Sequence, residues 1–147
     1  MYRSVTLATI SLHQMPGGLE RNIIRLANYL TEQGMEVCVV TFDLPGAEPF
    51  YPLDSKAKLH CLGEQAPHGS IGFFERCRMI RKIYQLLNAS NASSTLICFH
   101  HGILFRFIFA AWAARAKLIC SERNALEMYE YISPPKWGVN FCLMSLV

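Results

Sequence analysis

Three groups of residues with chemical capacity each follow a short apolar run. The first is Gly17-Gly18, with Glu20 and Arg21 close behind. A glycine pair ahead of a helix lets a ligand approach the backbone. The helix N-terminus then offers unpaired N–H groups and partial positive charge to an anion such as phosphate. A plain tight turn is the alternative, and Glu20 suits a first helical turn through the helix dipole alone. The second group is His100-His101. Imidazole titrates near neutral pH, so His100 is a candidate proton donor or partner for a substrate hydroxyl. Adjacent histidines on an extended segment point to opposite sides, and no carboxylate or cysteine stands at ligand spacing, so no metal site is expected. A strand-end histidine with its hydrogen bonds satisfied is the alternative. The third group, Ser121-Glu122-Arg123-Asn124, is an abrupt polar stretch. Arg123 can pair with a phosphate and Glu122 can orient a hydroxyl. A surface arrangement of the two worth little energy is the alternative.

The surrounding periodicity says what must position these groups. Residues 4–10 are rich in β-formers and read as a strand. Residues 19–33 read as a helix with Leu19, Ile23, Leu26 and Leu30 on one face, stopped by Gly34. Residues 36–42 form the next strand, which completes a βαβ unit. Pro45, Gly46, Pro49 and Pro52 mark 44–52 as a surface loop. Residues 58–62 make a third strand, and 63–72 another loop. Residues 73–87 read as an amphipathic helix with Phe73, Cys77, Ile80, Tyr84 and Leu87 on one face and Arg78 and Lys82 opposite. Residues 95–99 are almost continuously apolar, as in a strand covered on both sides. A buried helix over 103–114, a fifth strand over 117–121 and the start of a last helix over 137–147 complete the chain. Alternating strands and helices predict an α/β fold with a doubly wound parallel sheet. All three groups then fall at the carboxyl ends of strands, where such sheets bind ligands.

A chain of 147 residues suits one domain with a real core, and 52% hydrophobic against 17% charged residues argues against disorder. A net charge of +3 permits an anionic ligand or a membrane surface but does not point to nucleic acid. The six cysteines form no Cys-x-x-Cys pair, and Cys38, Cys98 and Cys120 lie inside expected strands. They read as reduced, apolar-like thiols of a cytoplasmic protein. The first apolar stretch is too short and too threonine-rich for a signal peptide. Arg106, Arg115 and Lys117 argue against a membrane span near 103–120. Arg76, Arg78, Arg81 and Lys82 make a basic stretch, either a solvated face or a contact with anionic lipid headgroups. Tyr129, Tyr131, Trp137 and Phe141 suit an interfacial belt or a core equally.

Several stretches, in order, carry a resemblance. They are Gly17-Gly18-Leu19-Glu20-Arg21, Leu26-Ala27-Asn28-Tyr29-Leu30, Gly34-Met35-Glu36-Val37 and Val40-Thr41-Phe42-Asp43. Phe50-Tyr51-Pro52-Leu53-Asp54, Lys58-Leu59-His60-Cys61-Leu62-Gly63 and Ile119-Cys120-Ser121-Glu122-Arg123-Asn124 follow. Together they resemble the N-terminal half of a GT-B glycosyltransferase of the family 4 type over nearly the whole chain.

The resemblance implies a Rossmann-like, acceptor-side domain spanning residues 1–147. It implies retaining transfer of a sugar from a nucleotide-sugar substrate to a glycan or lipid-linked acceptor, with neither a metal nor a separate cofactor. Gly17, Gly18, Glu20, Arg21, Arg123 and Asn124 would contact donor or acceptor, with His100 and Glu122 as the catalytic candidates. The location expected is the cytoplasm, at the inner face of a membrane where the acceptor is lipid-borne. Such enzymes carry a second Rossmann-like domain with a Glu-x7-Glu segment, and the sequence ends at Val147 without it. The chain alone is therefore expected to be inactive, or to act with a donor-binding partner. The alternatives are a non-catalytic acceptor-binding or anchoring half of a split enzyme, and an inactive fragment. An unrelated nucleotide-binding oxidoreductase is disfavoured, because the turn lacks Gly-x-Gly-x-x-Gly spacing.

Overall fold

The computed structural model describes residues 4–14, 16–63, 72–89 and 95–121. The elements run β1 (Ser4–Ala8), α1 (Gly18–Glu32), β2 (Glu36–Thr41), β3 (Lys58–Cys61), α2 (Phe73–Ala89), β4 (Thr95–Cys98), α3 (His101–Ala113) and β5 (Lys117–Cys120). The strands form one parallel sheet in the order β3-β2-β1-β4-β5. This is the doubly wound, Rossmann-like α/β sheet expected from the sequence. The last helix expected over 137–147, and the aromatic residues from Tyr129 onward, lie outside the described residues.

Strand alternation divides the core between two faces of the sheet. Val5, Leu7, Val37 and Val39 pack with Ile23, Ile24 and Ala27 of α1. Ala8, Val40, Leu96 and Cys98 pack with Met79, Ile83 and Leu87 of α2 and with Ile103, Phe107 and Ala110 of α3. Right-handed crossovers require this split. The chain moves from β1 to β2 in one direction across the sheet and from β4 to β5 in the other, so α1 covers one face while α2 and α3 cover the other. Phe107 is fully buried and meets Phe42 edge-on at 6.1 Å. The Arg106 guanidinium lies over the same Phe42 ring at 5.1 Å. Truncating a buried ring of this kind typically costs about 3–5 kcal/mol.

Helix α1 ends as its sequence demands. Gly34 takes φ +76°, its N–H donates to the Thr31 carbonyl at 3.0 Å, and the Met35 N–H donates to Leu30 at 3.1 Å. That pair of bonds is a Schellman motif, which satisfies carbonyls left open at the helix end. Asn28 then ties α1 to the following loop. Its amide donates to the Pro52 carbonyl at 3.0 Å, and its side-chain oxygen accepts the Asp54 N–H at 2.8 Å.

Two expected faces are corrected. The buried line of α2 is Met79, Ile83 and Leu87, whereas Cys77 and Tyr84 are exposed. Apolar residues lie on more than half of this helix's circumference, so periodicity allowed either line, and packing against α3 selects Met79 and Ile83. Helix α3 is buried on one side only. Phe105, Phe109 and Trp112 face outward.

The five described cysteines are free thiols. Burial pushes the Cys38 thiol up to about 12 and that of Cys98 up as well. Both stay protonated and behave as small apolar side chains, as their strand positions suggested.

Candidate functional site

The sheet reverses its winding between β1 and β4, which makes the crevice beyond their carboxyl ends the ligand position for this topology. Backbone pairing continues past the strand ends there. The Thr9 N–H donates to Val40, Phe42 to Ile10, Phe99 to Ala8 and Ser121 to Cys98, all at 2.8–3.1 Å. These bonds fix the starts of the loops that follow β1, β4 and β5.

The loop from β1 to α1 is held by Asp43, just past β2. Its carboxylate accepts the Ser11 hydroxyl and, at 2.9 Å, the Leu12 N–H. Leu12 is itself buried, and its carbonyl accepts the Phe50 N–H at 2.9 Å. His13 Nδ1 lies 2.9 Å from the Glu48 carbonyl, and His13 bridges to Pro49. The loop is thus stapled to residues 43–50 before it reaches the glycines.

Gly17 is the N-cap of α1, with φ −84° and ψ 163° and no side-chain cap bond. Its carbonyl closes the first turn by accepting the Arg21 N–H at 3.2 Å. The amides ahead of Arg21 have no intrahelical acceptor, so they form the donor cluster expected at this end. The two glycines differ in what requires them. A Cβ on Gly17 would overlap the Glu20 carboxylate, which leans back over the N-cap. A Cβ on Gly18 would meet nothing within 4 Å, and Gly18 is exposed with no left-handed φ. Glu20 is buried, at 9% exposure, and acidic in the first turn, where the helix dipole favours it. Arg21 is exposed beside it.

On the other side of the crevice, His100 follows Phe99, whose N–H is bonded to Ala8. His100 is half-buried, and its carbonyl accepts the Ile103 N–H at 3.2 Å as α3 begins. His101 is the first residue of α3. Ser121 sits beside the end of β4 through its bond to Cys98. Glu122, Arg123 and Asn124 lie outside the described residues. The fold therefore brings Gly17, Gly18, Glu20 and Arg21 to one flank of the β1–β4 reversal and His100 to the other. Among the described residues, no group of three or more His, Cys, Asp or Glu could hold a metal ion.

Asp43, Ser11 and His13 join the site through contacts that no local sequence pattern specifies. Asp43 follows the apolar run Val39-Val40-Thr41-Phe42 as abruptly as Ser121 follows its own strand. That polar switch was the available signal.

A family profile, Glycosyltransferase Family 4, matches residues 16–142. The lipopolysaccharide outer core galactosyltransferase WaaB, in its apo form, superposes with a TM-score of 0.55 at 12% identity. That match covers 86% of this chain but 34% of the galactosyltransferase, so the chain spans about a third of that protein's length. The C-terminal domain of a Pyrococcus furiosus hydrogenase superposes with a TM-score of 0.54 at 11% identity, covering 82% of this chain and 90% of that domain. Identities this low establish a shared fold alone. No curated protein matches the sequence.

Proposed function

Because this chain belongs to glycosyltransferase family 4, we propose that it is the acceptor-side half of an enzyme that moves a sugar from a nucleotide-sugar donor to a glycan or lipid-linked acceptor, with retention of anomeric configuration. The observation that carries the reading to particular residues is Gly18. The fold makes no demand for glycine there, yet the residue stands open at the start of α1 beside the β1–β4 reversal. A sugar-nucleotide diphosphate fits such a position. It would take the free amides of the first turn, with Arg21 adding countercharge. Charge that develops on the departing diphosphate would be stabilised by the same fixed donors, which need no reorganisation during reaction.

Glu20 and His100 flank this position. In the proposed roles, Glu20 orients the incoming hydroxyl and His100 donates or accepts a proton. Arg123 and Asn124 extend the substrate contacts, and Glu122 is the second catalytic candidate. A second Rossmann-like domain, carried by the same polypeptide or by a partner, supplies the remaining nucleotide contacts. The proposed setting is the cytoplasmic side of a membrane when the acceptor is lipid-borne.

The test is sugar transfer from a panel of labelled UDP-, GDP- and ADP-sugars, with excess EDTA, to oligosaccharide and lipid acceptors. The 147 residues are assayed alone and together with the donor-binding half. Transfer is expected only from the combination, with retained configuration and insensitivity to EDTA. Turnover by the 147 residues alone would refute the half-site assignment, and inverted product would refute the stereochemistry. No transfer from any donor by the combination would refute the enzyme reading.

A further inference from the structure

The loop between β2 and β3 presents an aromatic ring that the core does not use. Phe50 is 55% exposed, whereas its neighbour Tyr51 is half-buried and packs against the α1 side of the core. The two rings meet edge-on, 5.1 Å apart. Contact with the anchored Tyr51 restricts how far Phe50 can swing and leaves more than half of Phe50 in solvent.

The backbone under this ring is held at several points. The Phe50 N–H donates to the Leu12 carbonyl at 2.9 Å, His13 Nδ1 lies 2.9 Å from the Glu48 carbonyl, and His13 bridges to Pro49. Upstream, the Ala47 N–H closes a Pro45–Gly46 turn on the Leu44 carbonyl at 3.0 Å. Downstream, Asn28 holds Pro52 and Asp54. A ring on so fixed a backbone loses little conformational entropy when a ligand covers it.

A single exposed ring is ordinary on a protein surface. What sets Phe50 apart is its place and its neighbours. Strand β2 runs parallel to β1, so the loop after β2 leaves from the sheet edge that carries the glycine turn and His100. Phe50 is bonded to Leu12, and the five residues from Leu12 to Gly17 span at most about 18 Å. The ring therefore stands within a few sugar units of the amides at the start of α1. His13 and Gln14, in the segment bonded to this loop, are exposed. A carbonyl only accepts, so His13 Nδ1 carries the proton in the bond to Glu48, and the neutral imidazole keeps Nε2 as an acceptor. Gln14, whose amide both donates and accepts, is held at φ +53°, in the sparsely populated left-handed region.

A pyranose matches this pairing of ring and polar rim. Its axial C–H bonds form an apolar face drawn to the electron-rich face of an aromatic ring, while its hydroxyls need donors and acceptors around it. An acyl chain would use the ring but neither His13 nor Gln14. We propose that Phe50, anchored by Tyr51 and rimmed by His13 and Gln14, stacks on a sugar ring of the acceptor, which makes the acceptor a glycan. That the bound sugar is the acceptor rests on the transferase reading above, whereas the sugar contact itself is tested without any donor.

In the experiment, backbone amide shifts of the isotope-labelled chain are followed while lactose, maltotriose, chitotriose or mannotriose is added to about 20 mM, without donor. At least one is expected to bind with a Kd of about 1 mM and to shift the amides of Leu12, His13, Gln14, Phe50 and Tyr51. Phe50→Leu keeps apolar area without a ring and is expected to weaken binding about fivefold. Phe50→Ser is expected to weaken it about tenfold, and Phe50→Trp to restore it. Phe109→Ser removes an exposed ring of α3 and is expected to change nothing. With the donor-binding half present, Phe50→Ser is expected to raise the acceptor KM about tenfold at unchanged donor KM.

No shift with any of the four sugars, or shifts that avoid Leu12 to Gln14 and Phe50, overturns the proposal. So does undiminished binding by Phe50→Ser. Transfer with an unaltered acceptor KM in Phe50→Ser also overturns it and leaves the transferase reading standing. Sugar binding that depends on Phe50, with no transfer by the combined halves, refutes the transferase reading and upholds the sugar contact.

Discussion

Gly18→Val is expected to leave the fold intact and to lower sugar transfer by about 10²- to 10³-fold, the loss typical when a fixed donor no longer reaches developing charge. A Cβ at Gly18 meets no atom within 4 Å, and the backbone there needs no left-handed φ. The melting temperature should therefore move by no more than about 2–4 °C, the equivalent of 1 kcal/mol in a chain of this size. Gly18→Ala should be slightly more stable than wild type, since alanine restricts the unfolded chain. Gly17→Ala makes the contrast. There the new methyl group strikes the Glu20 carboxylate, which is the free end of a flexible side chain and swings aside. That variant perturbs Glu20, while the Gly18 variants perturb only what approaches from solvent. Full activity in Gly18→Val would mean that no ligand comes close to this turn.

Asp43→Ala is expected to cost about 3 kcal/mol, because bonds to a charged acceptor contribute about 1.5–3 kcal/mol each and the Leu12 N–H is left unsatisfied. For this chain length the melting temperature should fall by about 6–12 °C. Asp43 bonds both Ser11 and Leu12, and those residues lead directly into the glycine turn. Transfer should therefore fall in Asp43→Ala even at temperatures where it remains folded. Asp43→Asn should lie about midway, since its amide keeps one acceptor oxygen and turns a donor toward the other partner. Ser11→Ala removes one donor and leaves the Leu12 bond, so a loss of about 1 kcal/mol is expected. Melting of Asp43→Ala within a degree of wild type would show that the loop is held by other contacts.

The elements were legible because their signals are local. The valines at 37, 39 and 40, the Gly34 stop and the apolar run before Phe99 each act within a few residues of chain. What stayed hidden depends on distant partners. Asp43 bonds residues 31 and 32 positions away, and no local pattern announces such a pairing. The turn of α2 toward its core likewise depends on a distant partner, α3. Cys77 and Tyr84, on the expected face, compete with Met79 and Ile83, which the core selects. The apolar character of α3 suggested full burial, yet the sheet covers one side of a helix only, and Phe105, Phe109 and Trp112 remain outside. Of the candidate site, Gly17, Gly18, Glu20, Arg21 and His100 could be placed at strand ends from the alternation alone. The difference between the two glycines could not, since it rests on where the Glu20 carboxylate folds back.

The most direct test of the site is amide hydrogen exchange, with and without saturating UDP-, GDP- and ADP-sugars, on the chain in the presence of its donor-binding half. Slowed exchange at residues 17–21 and 99–101 with at least one sugar nucleotide is the expected result, because those amides flank the β1–β4 reversal. Protection confined to the amino ends of the strands, around residues 34–36, or unchanged exchange at 17–21 with every donor, would contradict a ligand site at this reversal.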